Sequence, residues 1–293
     1  MHSDRPSATA TFIARSLMWW AREPWPDRLV DAHALALSAA CLHAAGIDGR
    51  RWWRLAGIAW LRRVIRQCER WILPGIVLHY VLRKRGITQA VERALAEGCT
   101  SLVVLAAGFD ALAWRISRRH PAVRVLEVDH PATQAVKRRA MMGTRGAPGF
   151  HAMDLASTSP VRVPERDRPT VVVAEGLLMY FPGERVTALL RELSASLAPG
   201  SRVVFTFMAR EGDGHLGFPA GHPLIDHWLR WHGEVFRWGV ARNELGGFLA
   251  RVGLRLLVHH DAEALAQHHL GPGCRRRGAC GEDLVVAEPL PRA

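Results

Sequence analysis

Lysine is almost missing from this chain. Of its 39 basic side chains, only Lys84 and Lys137 are lysines and the rest are arginine. Beside abundant Ala, Gly and Pro, that skew reads first as codon bias in a GC-rich genome. The formal net charge of +12 therefore does not by itself imply a nucleic-acid partner, and none is expected. Cysteine is scarce and scattered. Cys41, Cys68, Cys99, Cys274 and Cys280 are odd in number, and the last two are too far apart for a CxxC knuckle. They read as reduced thiols in a cytoplasmic protein. The pairs His259-His260 and His268-His269 repeat no ligand spacing, so they read as a solvated loop and no metal is expected. Met1 to Trp25 lacks a basic-then-apolar leader pattern. The longest uncharged apolar run, Trp71 to Leu82, contains Pro74 and Gly75 and falls short of the ~20 residues that cross a bilayer. No G-x-x-x-x-G-K-[ST] occurs, and G-x-G-x-x-G is missing where a dinucleotide site would need it, so phosphate cradling is poorly supported.

What is present is a chain of 293 residues with 49% apolar and 23% charged side chains, enough for one large α/β domain and an appendage. The first hundred residues read as helices, with apolar spacing of three and four over Thr11 to Arg22, Val30 to Ala45 and Arg51 to Trp71. The Asp48-Gly49 turn separates the last two, and Thr88 to Glu97 forms a short helix. Arg50 to Arg85 mixes Trp52, Trp53, Trp60 and Trp71 with seven arginines between Arg50 and Arg70, but wrapped as one helix it shows no clean face. It has two readings: a helical cap whose tryptophans pack on the sheet domain, which is favoured, or a basic, Trp-rich helix on a membrane surface.

From Ser101 onward, strands alternate with helices. The strands are Ser101 to Ala107, Val123 to Val128, Phe150 to Met153, Val171 to Ala174 and Arg202 to Met208, then Leu254 to Val258 and Leu284 to Ala287. Such alternation predicts a doubly wound, mostly parallel α/β sheet, closed by a hairpin that adds one antiparallel strand. Residues 1–97 are expected to form the N-terminal helical cap and 98–293 the ligand-binding domain, with 209–240 inserted as a lid.

Three strands end in acids: the first at Gly108-Phe109-Asp110, the second at Asp129, the fourth at Glu175. Ligands of parallel α/β sheets bind at those strand ends. An acidic rim beside a glycine-poor turn, Ala106-Ala107-Gly108, suits a ribose and a cation better than a polyphosphate, and S-adenosylmethionine has both. Asp129 is placed to accept from ribose hydroxyls, or else caps the next helix, and Glu127 either shares that duty or is a satisfied core acid. Asp154 is placed to accept from an adenine amino group while Leu155 packs on the ring, although an ordinary Asp turn reads the same way. Glu175 follows four apolar residues, so its carboxylate needs a partner: a cationic ligand, or Arg83 or Arg115.

The segments LRKRGITQAV (Leu82 to Val91), VVLAAGFDALAWRI (Val103 to Ile116), LEVDHPATQAVK (Leu126 to Lys137), MDL (Met153 to Leu155) and VVAEGLLMYF (Val172 to Phe181) together resemble the leucine carboxyl methyltransferase family. The resemblance implies a class I methyltransferase fold, Rossmann-like, with S-adenosyl-L-methionine as cofactor. By it Arg83 binds the cofactor carboxylate, Ala106 to Gly108 pass under its tail, and Asp129 holds the ribose. Asp154 and Leu155 take the adenine, Glu175 sits by the amino group, and Tyr180 stands near the substrate mouth as the candidate catalytic residue. The family usually has Gly where this chain has Ala106, and a common Thr is replaced by Ala111.

The expectation is an O-methyltransferase acting on a carboxyl or hydroxyl of a small molecule, apolar or aromatic to judge from Trp20, Trp228, Trp231 and Trp238. His151, His222, His227 and Tyr180 are the candidate bases for a hydroxyl acceptor. The alternatives are a nicotinamide oxidoreductase, or a noncatalytic membrane-surface or nucleic-acid-binding protein on the same scaffold.

Overall fold

The computed structural model describes residues 7–22, 31–157, 168–210, 214, 216–231, 233–271 and 278–291. Val30, Cys274, the Trp228 side chain and parts of the N-terminal stretch and of the 209–240 insertion lie outside the described residues. Helices α1 (Ala8–Trp20), α2 (Ala32–Ala44), α3 (Gly49–Gly57), α4 (Ala59–Ile72) and α5 (Ile76–Ala96) precede the first strand. Then follow β1 (Ser101–Leu105), α6 (Leu112–Arg119), β2 (Arg124–Asp129), α7 (Pro131–Ala140), β3 (Gly149–Ala152), β4 (Thr170–Ala174) and α8 (Gly183–Ser196). The remainder is β5 (Arg202–Ala209), α9 (Leu224–Trp231), β6 (Gly239–Val240), α10 (Leu245–Arg251), β7 (Leu254–His260), α11 (Ala262–Leu270) and β8 (Glu282–Pro289).

The sheet runs β3-β2-β1-β4-β5-β8-β7, with β6 beside β5. Pairing is parallel except where β8 meets β5 and β7, so one antiparallel strand joins a mostly parallel sheet, as expected. The strand alternation sorts the core into two layers. Val103 and Leu105 of β1 with Val172 and Ala174 of β4 pack against Leu189 and Leu193 of α8 and Leu249 of α10. Leu102, Val104, Val171 and Val173 point the other way, onto Leu82, Ile87 and Val91 of α5 and Ile116 of α6. All five residues of β1 and of β4 are buried, so these strands read as unbroken apolar runs. Each such Val or Leu contributes roughly 1.5–3 kcal/mol by leaving water.

Several helical expectations are corrected. The run Arg51 to Trp71 is two helices, because Ile58 between them is extended (φ −80°, ψ 111°). That break explains why one continuous wheel gave no clean face. The helix expected from Thr88 begins twelve residues earlier: Gly75 turns the chain at φ 77° and α5 starts at Ile76. Arg83, Lys84 and Arg85 interrupt its apolar stripe, and Arg83 is itself buried. His259 and His260 end β7, and His268 and His269 lie in α11, whose start is capped by Asp261 accepting from the Ala264 N–H at 2.8 Å; they are not a loop. β1 stops at Leu105 rather than Ala107, because Ala106 turns away with φ 49°.

Candidate active site

The sheet's switch point lies between β1 and β4, since the chain runs outward from β1 through β2 to β3 and then returns to β4. At their carboxyl ends opens a cavity of about 1660 Å³. That exceeds the ~300–1,000 Å³ usual for one small ligand and leaves room for two. Arg83, Ala106, Gly108, Asp129, Asp154, Glu175 and Tyr180 all line it. Leu155 does not; its side chain is buried in the core beneath, between Asp154 and Ala156, which do line the cavity.

The turn after β1 is held tightly. Ala106 donates its N–H to the Val128 carbonyl at 2.7 Å, and Gly108 adopts φ 50°. Among the described residues Ala106 is the one non-glycine with positive φ. An L side chain there costs about 1–2 kcal/mol, which is why a glycine is the ordinary choice at such a position. The Gly108 N–H donates to Asp129 Oδ2 at 2.7 Å, and the His130 N–H to Oδ1 at 2.6 Å. Asp129 therefore clasps the β1 turn, whereas the cap of α7 is His130, whose Nδ1 accepts from Ala132. Burial pushes the Asp129 carboxyl above its ordinary value despite those two donors. Glu127 is a core acid: it meets Lys137 at 2.7 Å with both side chains 1% exposed, and burial pushes it up to about 7. Asp154 stays near solvent, its Oδ1 accepting from the Ala156 N–H at 3.0 Å.

Glu175 is paired within the chain. Arg83 Nε donates to Glu175 Oε1 at 3.0 Å, and Lys84 Nζ approaches Oε2 at 3.0 Å. Arg83 also pairs with the buried Glu282, which accepts a further contact from His79 at 3.1 Å. Lys84 bridges onward to Asp110 Oδ2 at 2.5 Å, while Asp110 Oδ1 accepts from the Leu112 N–H at the start of α6. The Lys84 ammonium holds Asp110 well below the usual carboxylate range against the upward push of burial. Asp110, Glu175 and Glu282 thus stand against Arg83 and Lys84, with His79 beside Glu282. Lys84 is the more open cation, with 35% of its side chain exposed against 5% for Arg83. Arg115, the other partner foreseen for Glu175, instead bonds Asp31 at 2.7 Å and Thr88 at 2.7 Å.

Over the cavity, α1 meets the segment before β6. Glu234 Oε1 accepts from Ser7 Oγ at 3.2 Å and from the Thr9 N–H at 3.3 Å, and these residues line the cavity from two sides. Tyr180 packs on Phe236 with ring centroids 5.6 Å apart, and burial pushes its phenol well above the ordinary value. Trp20 lines the cavity, but Trp238 is buried among Phe207 and Phe248, and Trp231 is 81% exposed. His151, His222 and His227 are exposed and do not line the cavity. Among the described residues no group of His, Cys, Asp and Glu is arranged to hold a metal, and no helix is long and apolar enough to cross a membrane.

Sequence reasoning passed over Lys84, Glu282 and Glu234. For Lys84 a signal existed, since both lysines of this arginine-rich chain sit on acids: Lys84 on Asp110 and Glu175, Lys137 on Glu127.

Known proteins resemble this chain in sequence. An inferred S-adenosyl-L-methionine-dependent methyltransferase of Mycolicibacterium smegmatis is 30% identical over 201 residues, covering 64% of this chain and 65% of that protein. A protein of Frankia alni with the same kind of name is 30% identical over 150 residues, covering 48% and 51%. The matched part thus spans about half to two thirds of these relatives. Among solved structures, the O-methyltransferase NcsB1 from neocarzinostatin biosynthesis, in complex with S-adenosyl-L-homocysteine and 1,4-dihydroxy-2-naphthoic acid, overlaps with a TM-score of 0.47 at 14% identity. It covers 88% of this chain and 70% of its own. The family model for leucine carboxyl methyltransferase matches residues 10–194, from α1 through most of α8, and the chain belongs to that family.

Proposed function

We propose that this chain is an S-adenosyl-L-methionine-dependent O-methyltransferase for a small apolar or aromatic acceptor, with a carboxylate favoured over a hydroxyl. The observation that carries the reading is the switch-point cavity, whose rim sets Asp110, Asp129, Asp154 and Glu175 beside Arg83 and Lys84. It suits a ligand that is a zwitterion at one end and a sulfonium beside it. Asp129 would accept from the ribose hydroxyls and Asp154 from the adenine amino group. Lys84 and Arg83 would offer cations to the amino-acid carboxylate, and Glu175 a carboxylate to its ammonium.

The bound cofactor supplies an electrophilic methyl group, and the protein's work is placement. Holding two reactants in line is worth ~7–11 kcal/mol, with no proton relay required. Tyr180, kept protonated by burial, serves as a hydrogen-bond donor and not as a base. Arg83, Lys84, Asp110, Glu175 and Glu282 are engaged in ion pairs with each other. An acceptor that arrives already ionised, as a carboxylic acid does at neutral pH, asks least of such a site.

The test is transfer of labelled methyl from S-adenosylmethionine to a panel of aromatic and alkyl carboxylic acids and phenols. Carboxyl products are esters and release labelled methanol in alkali; phenol products are ethers and do not. Alkali-labile product supports the reading. Alkali-stable product moves the assignment to hydroxyl acceptors, and no product from either class, with cofactor bound, contradicts it.

A further inference from the structure

The structure divides the Trp- and Arg-rich region in two. α3 is a cap: Ala56 is fully buried, Trp52 and Trp53 pack among the N-terminal helices, and Arg15 and Arg22 lie over their rings at 5.2 Å and 3.8 Å. Those tryptophans pack on α1 and its neighbours, not on the sheet. α4 is different, for it buries no residue at all.

Six of the 13 exposed large apolar side chains among the described residues fall between Ile58 and Ile72. Trp60 is 65% exposed and Trp71 73%, and Val64, Ile65 and Ile72 are exposed beside them. At about 100° per residue, Trp60, Trp71, Val64 and Cys68 share one arc about 80° wide, bounded on one side by Leu61, with Ile72 and Ile65 just beyond it, while Arg63 and Arg70 lie on the other side. The two tryptophans stand three turns apart, about 16 Å along the axis. The half-buried side is marked by Leu61, by Arg62 donating to the Ala56 carbonyl at 2.7 Å, and by Glu69 accepting from the Val77 N–H at 3.3 Å. The arc of Trp60, Trp71, Val64 and Cys68, with Arg63 and Arg70 beside it, therefore faces away from the protein.

We propose that α4 docks this protein on an anionic lipid surface. Trp60 and Trp71 would lie in the interfacial layer, Val64 at the acyl boundary, and Arg63 and Arg70 against headgroup phosphates. The charge on this region selects the partner. Between residues 50 and 72 stand seven arginines and a single acid, Glu69, on a chain of net charge +12. A second copy packed isologously would bring the same arginines face to face, which opposes association. A nucleic acid would meet the arginines but leave Val64, Ile65 and Ile72 in water. Anionic lipid answers both arcs. The Ile72 carbonyl at the end of α4 accepts from the His222 N–H at 2.7 Å, so docking engages the segment that enters α9 as well. This inference does not depend on the reaction proposed above.

The test is co-sedimentation of the full chain with phosphatidylcholine vesicles, with or without about 30 mol% phosphatidylglycerol, at low and high salt. The expected result is binding to the anionic vesicles only, reversed by salt, with a blue shift of tryptophan fluorescence. Arg63→Gln and Arg70→Gln should each lower the partition coefficient about fivefold. Trp60→Ser and Trp71→Ser should abolish the shift and lower binding while leaving the melting temperature unchanged, since both side chains are exposed. Equal binding to both vesicle types, binding to neither, or retention by the double tryptophan variant would each overturn the proposal. So would a concentration-dependent dimer that the tryptophan variants dissolve, or RNA binding with no vesicle binding.

Discussion

Asp129 and Ala106 are placed in the cavity as a pair, because the same turn sets both. The carboxylate holds the Gly108 N–H at 2.7 Å only if the chain reverses at Ala106, which it does at φ 49°. Exchanging Ala106 for glycine removes a Cβ from the left-handed region. We expect Ala106→Gly to stabilise the fold by about 1 kcal/mol, a rise of roughly 2–4 °C in melting temperature. Cofactor affinity should be unchanged or tighter. A fall in melting temperature by calorimetry would mean the turn relaxes in solution. That Asp129 and Glu175 reach the cavity was legible at this scale, since each ends an apolar run and stands out against it. Their partners were not legible. Lys84 reads as one more charge on a helix until α5 is folded against β4, and Glu282 opens a strand that only pairing with β5 brings beside Arg83.

The strands are where sequence and structure agree most closely, because a fully buried parallel strand is a short, unbroken apolar run that little else imitates. The helices were harder. α5 hides its first three turns behind Arg83, Lys84 and Arg85, and the charges of the first two are answered by acids far along the chain. α3 and α4 merge into one periodic stretch until the extended Ile58 separates them. Within α5, Gly86 looks like a helix weakness in sequence but is a packing requirement. A Cβ there would meet Leu284 Cδ2 at 2.8 Å and Leu265 Cδ2 at 2.9 Å. Gly86→Ala gains about 1 kcal/mol in helix propensity and loses roughly 1–3 kcal/mol to overpacking, so the expected outcome is net destabilisation. Chemical denaturation that shows a gain instead would mean that Leu284 and Leu265 yield to the added methyl group.

At the scale of the whole molecule, one buried cluster ties the helical layer to the sheet. Glu282 on β8 holds Arg83 and His79 of α5, and through Arg83 the end of β4 at Glu175. Burial pushes the Glu282 carboxyl up, but Arg83 and His79 outweigh it and hold it at about 2, below the ordinary 4.5. The unfolded chain therefore takes up the proton first. The stabilisation from this pair is complete above about pH 4.5 and is lost as the pH falls towards 2. Melting temperatures measured between those limits should drop steeply for the native chain. Glu282→Gln should melt lower at neutral pH and show a flatter acid limb; an unchanged limb would assign acid sensitivity to other carboxylates. The same cluster borders Asp129 and Asp154 at the switch point, and an acidic rim that holds a sulfonium cofactor is the central claim. Calorimetric titration of S-adenosylhomocysteine and S-adenosylmethionine into the native chain and into Asp129→Ala tests it most directly. The account predicts one site per chain, tighter for the sulfonium ligand, and lost in Asp129→Ala with the fold intact by circular dichroism. Absence of binding to the native chain, or equal affinity in the Asp129→Ala variant, would contradict it.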